Sequence, residues 1–496
     1  MEISNEKRIW TTTIYALLLA VANNYLFYGE PLGISYPLFV LLFYVFYFTR
    51  MKDKLDRLWD FSWFLFVVII ALSMSYFLFT NLIFYILNFM AIPVLIAFHT
   101  TIFARTRNHK WHDLRMVANV VDHVIPQSLR NVPTPFRRLA NLLGAQLDTR
   151  LKTSVVKVMI GLIISLPILL IVIQLLSSAD KAFGQLLSGI PEWMSAISIG
   201  EGFLRFIWIL VLFPYIFGFV WGLVDPKKYQ WESSDKQLQV AKDNSRRISW
   251  DPIIVMTVLI GINLVYVLFT FVQFSYLFGA FDGALPDGTT YAEHARSGFL
   301  ELVAVGVINF LILIGTLNFV AVNDSRLSRW NRSLLTLLVT CTGIMLVSAF
   351  IRLQLYEEVF GYTYIRFLVH AFMIYLGVLL LISGIRIWRL GVSLFRCFAV
   401  ISLLAYVMIN YVGMDRIIAS NNIERYRDGM ELDTQYLNQL SLEAVPLLIE
   451  LSREDEGVIV ILQEKYEQLA ADHREWVSFN WSRYQTMKEL EHELRK

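Results

Sequence analysis

A set of charged side chains stands where long apolar runs meet polar sequence: Asp180, Lys181, Glu201, Arg205, Glu293, Arg296, Glu301, Arg352, Glu357, Glu358 and Arg366. Carboxylates and guanidinium groups gathered at one depth of a membrane can hold a charged solute or pass a proton. The candidate outer-facing cluster is Asp180, Arg205, Glu293, Arg296, Glu301, Arg352 and Arg366. Glu293 and Arg296 are three residues apart on a helix that leads to Glu301. If the neighbouring helices adjoin, Arg205, Arg352 and Arg366 meet Glu301 in a shallow pocket. Snorkelling and ion pairing at the interface explain the same charges without a pocket, and the sequence favours that plainer reading. Glu293 and Glu301 would lie about 12 Å apart by helix rise, too far for one catalytic pair of acids.

Other chemistry is sparse. No HExxH, paired CxxC, Walker loop or GxSxG is present. Of the histidines, only His99 and His370 fall within apolar runs, and their expected depths differ, so they make poor joint haem ligands. His109 and His112 read as one solvated face of a basic loop. The middle thirds of the apolar runs contain no Asp, Glu, Lys or Arg. That argues against a typical proton-coupled pump. Asn88, Gln174, Asn263, Gln273, Asn309, Asn318 and Asn410 are better read as bonds between helices than as a binding site. No metal site and no cofactor is expected.

These residues need a membrane to position them. Hydrophobic residues make up 56% of the 496 and charged residues 17%, below the roughly 25% usual in soluble domains. Such a chain takes lipid as its solvent. The net charge of +2 gives no general attraction to nucleic acid. Cys341 and Cys397 each lie in an apolar run and read as small core residues. Lys7 and Arg8 precede an apolar stretch without a small-residue cleavage site, which reads as an uncleaved first helix.

A spanning helix needs about 20 apolar residues. Runs of that kind lie at about 10–27, 33–49, 60–79, 81–104, 155–176, 203–223, 252–278, 299–320, 334–354, 365–386 and 394–414. The fold expected is all-α and polytopic, with about eleven transmembrane helices. With the N-terminus in the cytoplasm, every inner segment is basic and every outer loop is poor in Lys and Arg. The odd count then sends the C-terminal tail outside. Pro93, Pro167 and Pro214 fall within three of the runs, where kinks are tolerable if neighbouring helices or waters satisfy the freed carbonyls.

Three regions follow: 1–154 with four helices and a basic loop, 155–414 with seven helices, and 415–496 as a small helical extracytoplasmic domain. In the basic loop, Thr134 is placed to cap a helix that continues to Lys152. Phe136, Leu139, Leu143, Leu147 and Leu151 form its apolar stripe. It could lie on the inner leaflet against anionic lipid, or pack under the bundle. The tail is more acidic than basic. It reads as four helices, at 433–440, 441–451, 458–471 and 475–494, with Ser441 as a cap.

Four segments, in order, carry a family resemblance. They are Leu176 to Phe183 (LSSADKAF), Tyr291 to Leu302 (YAEHARSGFLEL), Asn323 to Trp330 (NDSRLSRW) and Glu431 to Pro446 (ELDTQYLNQLSLEAVP). Together they resemble the bacterial membrane family named domain of unknown function 4173, related to family 4153. The resemblance runs from the fifth apolar run to the tail, and the first four runs match nothing. It implies a multi-pass protein of a bacterial cell membrane and supplies no activity, cofactor or catalytic residue. The function expected is a non-enzymatic envelope or signalling accessory that displays an outer helical domain to a membrane or envelope partner. A small-solute transporter or permease is the alternative, and a lipid-modifying enzyme ranks third.

Overall fold

The computed structural model describes residues 2–52, 61–104, 114–142, 201–225, 251–281, 299–319, 325–389, 391 and 393–495. Among these residues every regular element is a helix. Among the described residues seven helices are long and apolar enough to cross a membrane, and Ser35–Arg50 and Glu301–Leu317 are shorter apolar helices. The chain is a multi-pass integral membrane protein. Large apolar side chains such as Leu264, Phe271, Met90 and Leu381 stand about two-thirds or more exposed, as lipid-facing groups do. The expected run at 155–176 lies outside the described residues, as do Pro167 and the pair His109 and His112.

The described helices form two compact units. The first contains α1 (Glu2–Phe27), α2 (Ser35–Arg50), α3 (Phe61–Leu78), nearly all of α4 (Leu82–Ala104), α5 (Leu114–Asp122), α6 (Ser128–Asn131), α7 (Pro133–Leu142) and α8 (Glu201–Val224), together with residues 472–481. Pro93 and Pro214 sit inside α4 and α8.

The core of this unit is aromatic. His99 is fully buried among Tyr44, Tyr47, Phe48, Phe66 and Phe103. Its Nδ1 lies 3.0 Å from the Tyr44 hydroxyl, and the Tyr47 hydroxyl donates to the Thr100 carbonyl at 2.8 Å. Lipid supplies no water to exclude, so close packing and such bonds must hold the helices together.

Between α5 and α6 the chain makes one π turn, His123–Gln127, around Pro126. Proline has no N–H to give, and wider pairing around it is a usual remedy. The turn lies against α8, where a Cβ on Gly218 would stand 2.2 Å from the Ser128 carbonyl oxygen. Only glycine allows that approach. The helix expected from Thr134 begins one residue earlier, at Pro133, so Thr134 lies inside its first turn. α7 packs against α8 and α1, with Phe136 on Phe213 and Arg138 paired to Glu6 at 3.0 Å. Leu143, Leu147 and Leu151 lie outside the described residues.

Residues 476–480 thread this unit. Phe479 accepts the Ile34 N–H at 2.9 Å. Ser478 donates to the Pro31 carbonyl at 2.7 Å. Asn480 donates to the Tyr76 and Phe79 carbonyls at 3.0 and 2.8 Å. The segment therefore ties the α1–α2 loop to the end of α3.

The second unit contains α9 (Pro252–Phe281), α10 (Phe299–Phe319), α11 (Ser325–Phe360), α12 (Tyr364–Trp388), α13 (Leu394–Tyr411) and α14 (Met414–Arg427), the residues Thr80–Leu82, and the tail helices. α11 is its axis. At 36 residues it is about 54 Å long, longer than the bilayer core. α9, α10 and α12 all pack on it. The shared core includes Leu259, Leu302, Leu338, Met345, Leu353 and Leu376. Gly413, at φ +72°, turns the chain from α13 into α14.

The tail helices are α15 (Thr434–Gln439), α16 (Val445–Leu451), α17 (Gly457–Ala471) and α18 (Trp481–Leu494). Asp433 caps α15, accepting the Tyr436 N–H at 2.8 Å. Ser441 turns its hydroxyl to the Glu443 carboxylate and does not cap through its side chain. The last helix starts at Trp481, later than the sequence suggests, because Trp476–Ser478 forms a separate short turn.

Candidate functional site

Among the seven charges singled out from the sequence, the structure gathers two around one cavity. Glu301, in the first turn of α10, and Arg352, on α11, both line a space of about 340 Å³. Its other walls are Val265, Tyr266 and Phe269 of α9, Leu302 and Val305 of α10, and Met345 of α11. At the floor, the Tyr266 hydroxyl donates to Asn309 Oδ1 at 2.6 Å, and Asn309 Nδ2 donates to Thr342 Oγ at 2.9 Å. This chain links α9, α10 and α11, each bond contributing on the order of 0.6 kcal/mol within a bilayer.

Two more of the seven are described, and both stand elsewhere. Arg205 belongs to the first unit, its guanidinium 4.7 Å from the centre of the Tyr28 ring. Asp180, Glu293 and Arg296 lie outside the described residues. Arg366 lies over the Tyr356 ring at 4.3 Å and donates to the Phe360 and Gly361 carbonyls at the end of α11.

Two groups that the sequence named but did not pair meet between α11 and α12. Glu357, one turn from the end of α11, is 2% exposed. One of its oxygens stands 3.1 Å from Nδ1 of His370 on α12. Its other oxygen is buried, with no hydrogen-bond partner among the described residues. Nε2 of His370 faces the Phe350 carbonyl at 3.3 Å. A carbonyl only accepts, so Nε2 carries a proton. The second contact then needs one more proton, on Nδ1 or on the carboxyl. The pair thus joins α11 to α12 through one shared proton held inside the protein. A search for titratable residues on either side of a tight helix turn (here Gly361–Thr363) would have found it.

Beyond the pair, the tail grips the end of α11. Arg425 of α14 donates to the Glu358 carbonyl at 2.8 Å and the Val359 carbonyl at 2.9 Å. Arg366 and Arg425 together satisfy carbonyls that a helix C-terminus leaves open, and place positive charge at its negative pole. Asn422 exchanges two bonds with the Tyr362 backbone. Gly361, at φ +83°, has Asn422 and Arg425 where a side chain would be.

A buried polar joint fixes the rest of the tail. Asp415, 2% exposed, accepts from Asn81, from the Tyr364 hydroxyl and from the Ser441 N–H at 2.9 Å. Glu443 accepts the Thr80 N–H at 2.7 Å. Lys465, 6% exposed, donates to the Asn438 and Leu440 carbonyls at 2.8 and 2.9 Å. Burial pushes its ammonium pKa down, while Asp415, Glu443 and Glu464 pull it back up.

A family model described as Domain of unknown function (DUF4153) matches residues 66–451. The chain belongs to that family. The match begins within α3, so the family region covers much of the first unit as well as the second. It ends at Leu451, past the Asp415 joint and before α17 and α18. The cavity, the Glu357–His370 pair and the α11–α14 clamp all lie inside the DUF4153 region. No curated protein and no solved structure matches the chain. No cluster of three or more metal-ligating side chains occurs among the described residues.

Proposed function

We propose that this DUF4153 protein is a membrane-embedded signalling or assembly accessory. In this reading the bundle holds a ligand in the α9–α10–α11 cavity, and the helical tail presents the bound state to a partner. One observation carries it. A single helix, α11, places Arg352 in the cavity and ends in the carbonyls held by Arg425 of the tail. Arg352 and Glu358 are six residues apart, about 9 Å along the helix. Glu357, which meets His370 of α12, lies between them in sequence.

The test is coupling. Arg352→Gln is expected to change deuterium uptake severalfold across 414–427 and 434–471, in full-length protein in nanodiscs. In an Arg425→Ala background the same change should largely vanish. Identical uptake in Arg352→Gln and wild type would overturn the reading.

The membrane arrangement proposed is N-terminus inside and tail outside, in a bacterial cell membrane. Trp330 and Trp388 support it. Both are about 60% exposed or more, and both lie among arginines at the ends of α11 and α12 away from the tail, as residues at an inner headgroup level would. A cysteine placed at the exposed Ser420 should react with an impermeant reagent on spheroplasts; protection until lysis would reverse the orientation. A transporter is the second reading, favoured by the polar Tyr266–Asn309–Thr342 chain below the cavity. It requires solute flux in proteoliposomes.

A further inference from the structure

The α9–α10–α11 cavity lies beside a second space along the same helices. That space, of about 540 Å³, is lined by Asp251 just before α9, by Val255 and Val258 of α9 and by Leu311, Ile312 and Thr316 of α10. Residues 265–269 of α9 face 301–305 of α10, and 251–259 face 311–316. The two helices therefore run antiparallel on α11, with a seam along their length. The Tyr266–Asn309 bond divides that seam.

Between the Tyr266–Asn309 bond and the charges at its two ends the seam is apolar, and one flank is open to the bilayer. Val265 lines the upper cavity and is 60% exposed, beside Leu264 at 73% and Leu268 at 67%. A water-soluble solute would have to cross this apolar flank to enter; a lipid already lies against it. At the tail-side end the described wall residues include one carboxylate, Glu301, and one guanidinium, Arg352. Arginine binds phosphate through a planar fork of donors, and a carboxylate pairs with a primary ammonium. A volume of 340 Å³ is at the small end for ligand pockets, enough for a headgroup and the start of one chain.

We infer that the cavity holds the zwitterionic aminophosphate headgroup of one phospholipid. Its phosphate lies at Arg352, its ammonium at Glu301, and its acyl chains over the exposed Leu264–Leu268 flank of α9. Phosphatidylethanolamine has this chemistry. The inference rests on the cavity being the ligand site of the proposed function, and names its occupant.

Full-length protein is reconstituted in vesicles of equal phosphatidylethanolamine and phosphatidylglycerol, re-extracted, and the retained lipid read by native mass spectrometry. Wild type should retain phosphatidylethanolamine at least fivefold over phosphatidylglycerol. Glu301→Gln, at an exposed position in the first helical turn, should reduce that preference to near unity. Val305→Trp should expel the lipid, with Val305→Ile retaining it as the folding control. Equal retention of the two lipids by wild type would overturn the assignment, as would a preference unmoved by Glu301→Gln. Displacement by millimolar soluble phosphoethanolamine would show that a free headgroup suffices, and would also overturn it. The Arg425 coupling experiment involves no chosen lipid. Coupling without lipid selectivity therefore removes the occupant and leaves the function standing, whereas loss of coupling removes the function itself.

Discussion

Replacing Asp415 by alanine is expected to release the tail from the helices beneath it, at a cost of about 3–5 kcal/mol, the range for removing one member of a buried charged set. The carboxylate is 2% exposed and accepts from three donors contributed by Asn81, Tyr364 and Ser441. Without it those donors lose an acceptor in a site that admits little water, and the Lys465 ammonium loses a countercharge. Asp415→Asn should cost less, because one oxygen remains to accept. Trypsin cleavage within 427–474, together with deuterium uptake at 434–451, would report the release. Wild-type protection in Asp415→Ala would show that apolar packing of Leu437, Leu448 and Leu462 suffices without the joint.

Acid should loosen the first unit through His123. The ring is 3% exposed, and its Nε2 lies 3.0 Å from the Phe219 carbonyl. Burial pushes its pKa down to about 4, against the smaller upward pull of that hydrogen bond. In the unfolded chain the ring titrates near 6.5. Between those values the unfolded chain binds a proton that the folded one refuses, so stability falls as pH drops through the window. The full loss, reached below about pH 4, is about 3 kcal/mol. Deuterium uptake at 114–131 should rise from pH 7 to pH 4 once corrected for intrinsic exchange. His123→Gln keeps a donor for Phe219 and has no proton to gain, so its profile should be flatter. Equal slopes in the two proteins would remove His123 as the cause.

The membrane character of the chain was plain in its letters. Lipid cannot satisfy backbone groups, so runs such as 252–278 and 365–386 had to be helices, and α9 and α12 are. The tail helices were legible from their spacing and from Asp433, whose capping bond is local. Glu301 and Arg352 were singled out because charge at the end of an apolar run is costly wherever it falls.

Their partners were another matter. Asp415 and Asn81 are 334 residues apart, and no periodicity connects them. Glu357 and His370 read as an interfacial acid and a lone histidine, because a one-dimensional pattern carries depth but no azimuth. Arg366 looked like a site residue; the turn at Gly361 places it on helix carbonyls instead of in the cavity. That the helices form follows from local composition, since hydrogen bonding within each helix is local and obligatory in lipid. Which faces meet was decided only by the tertiary structure, because in lipid that choice rests on side-chain fit and a few polar bonds between distant residues. The cavity, the buried proton and the joint of the tail are all products of that second decision.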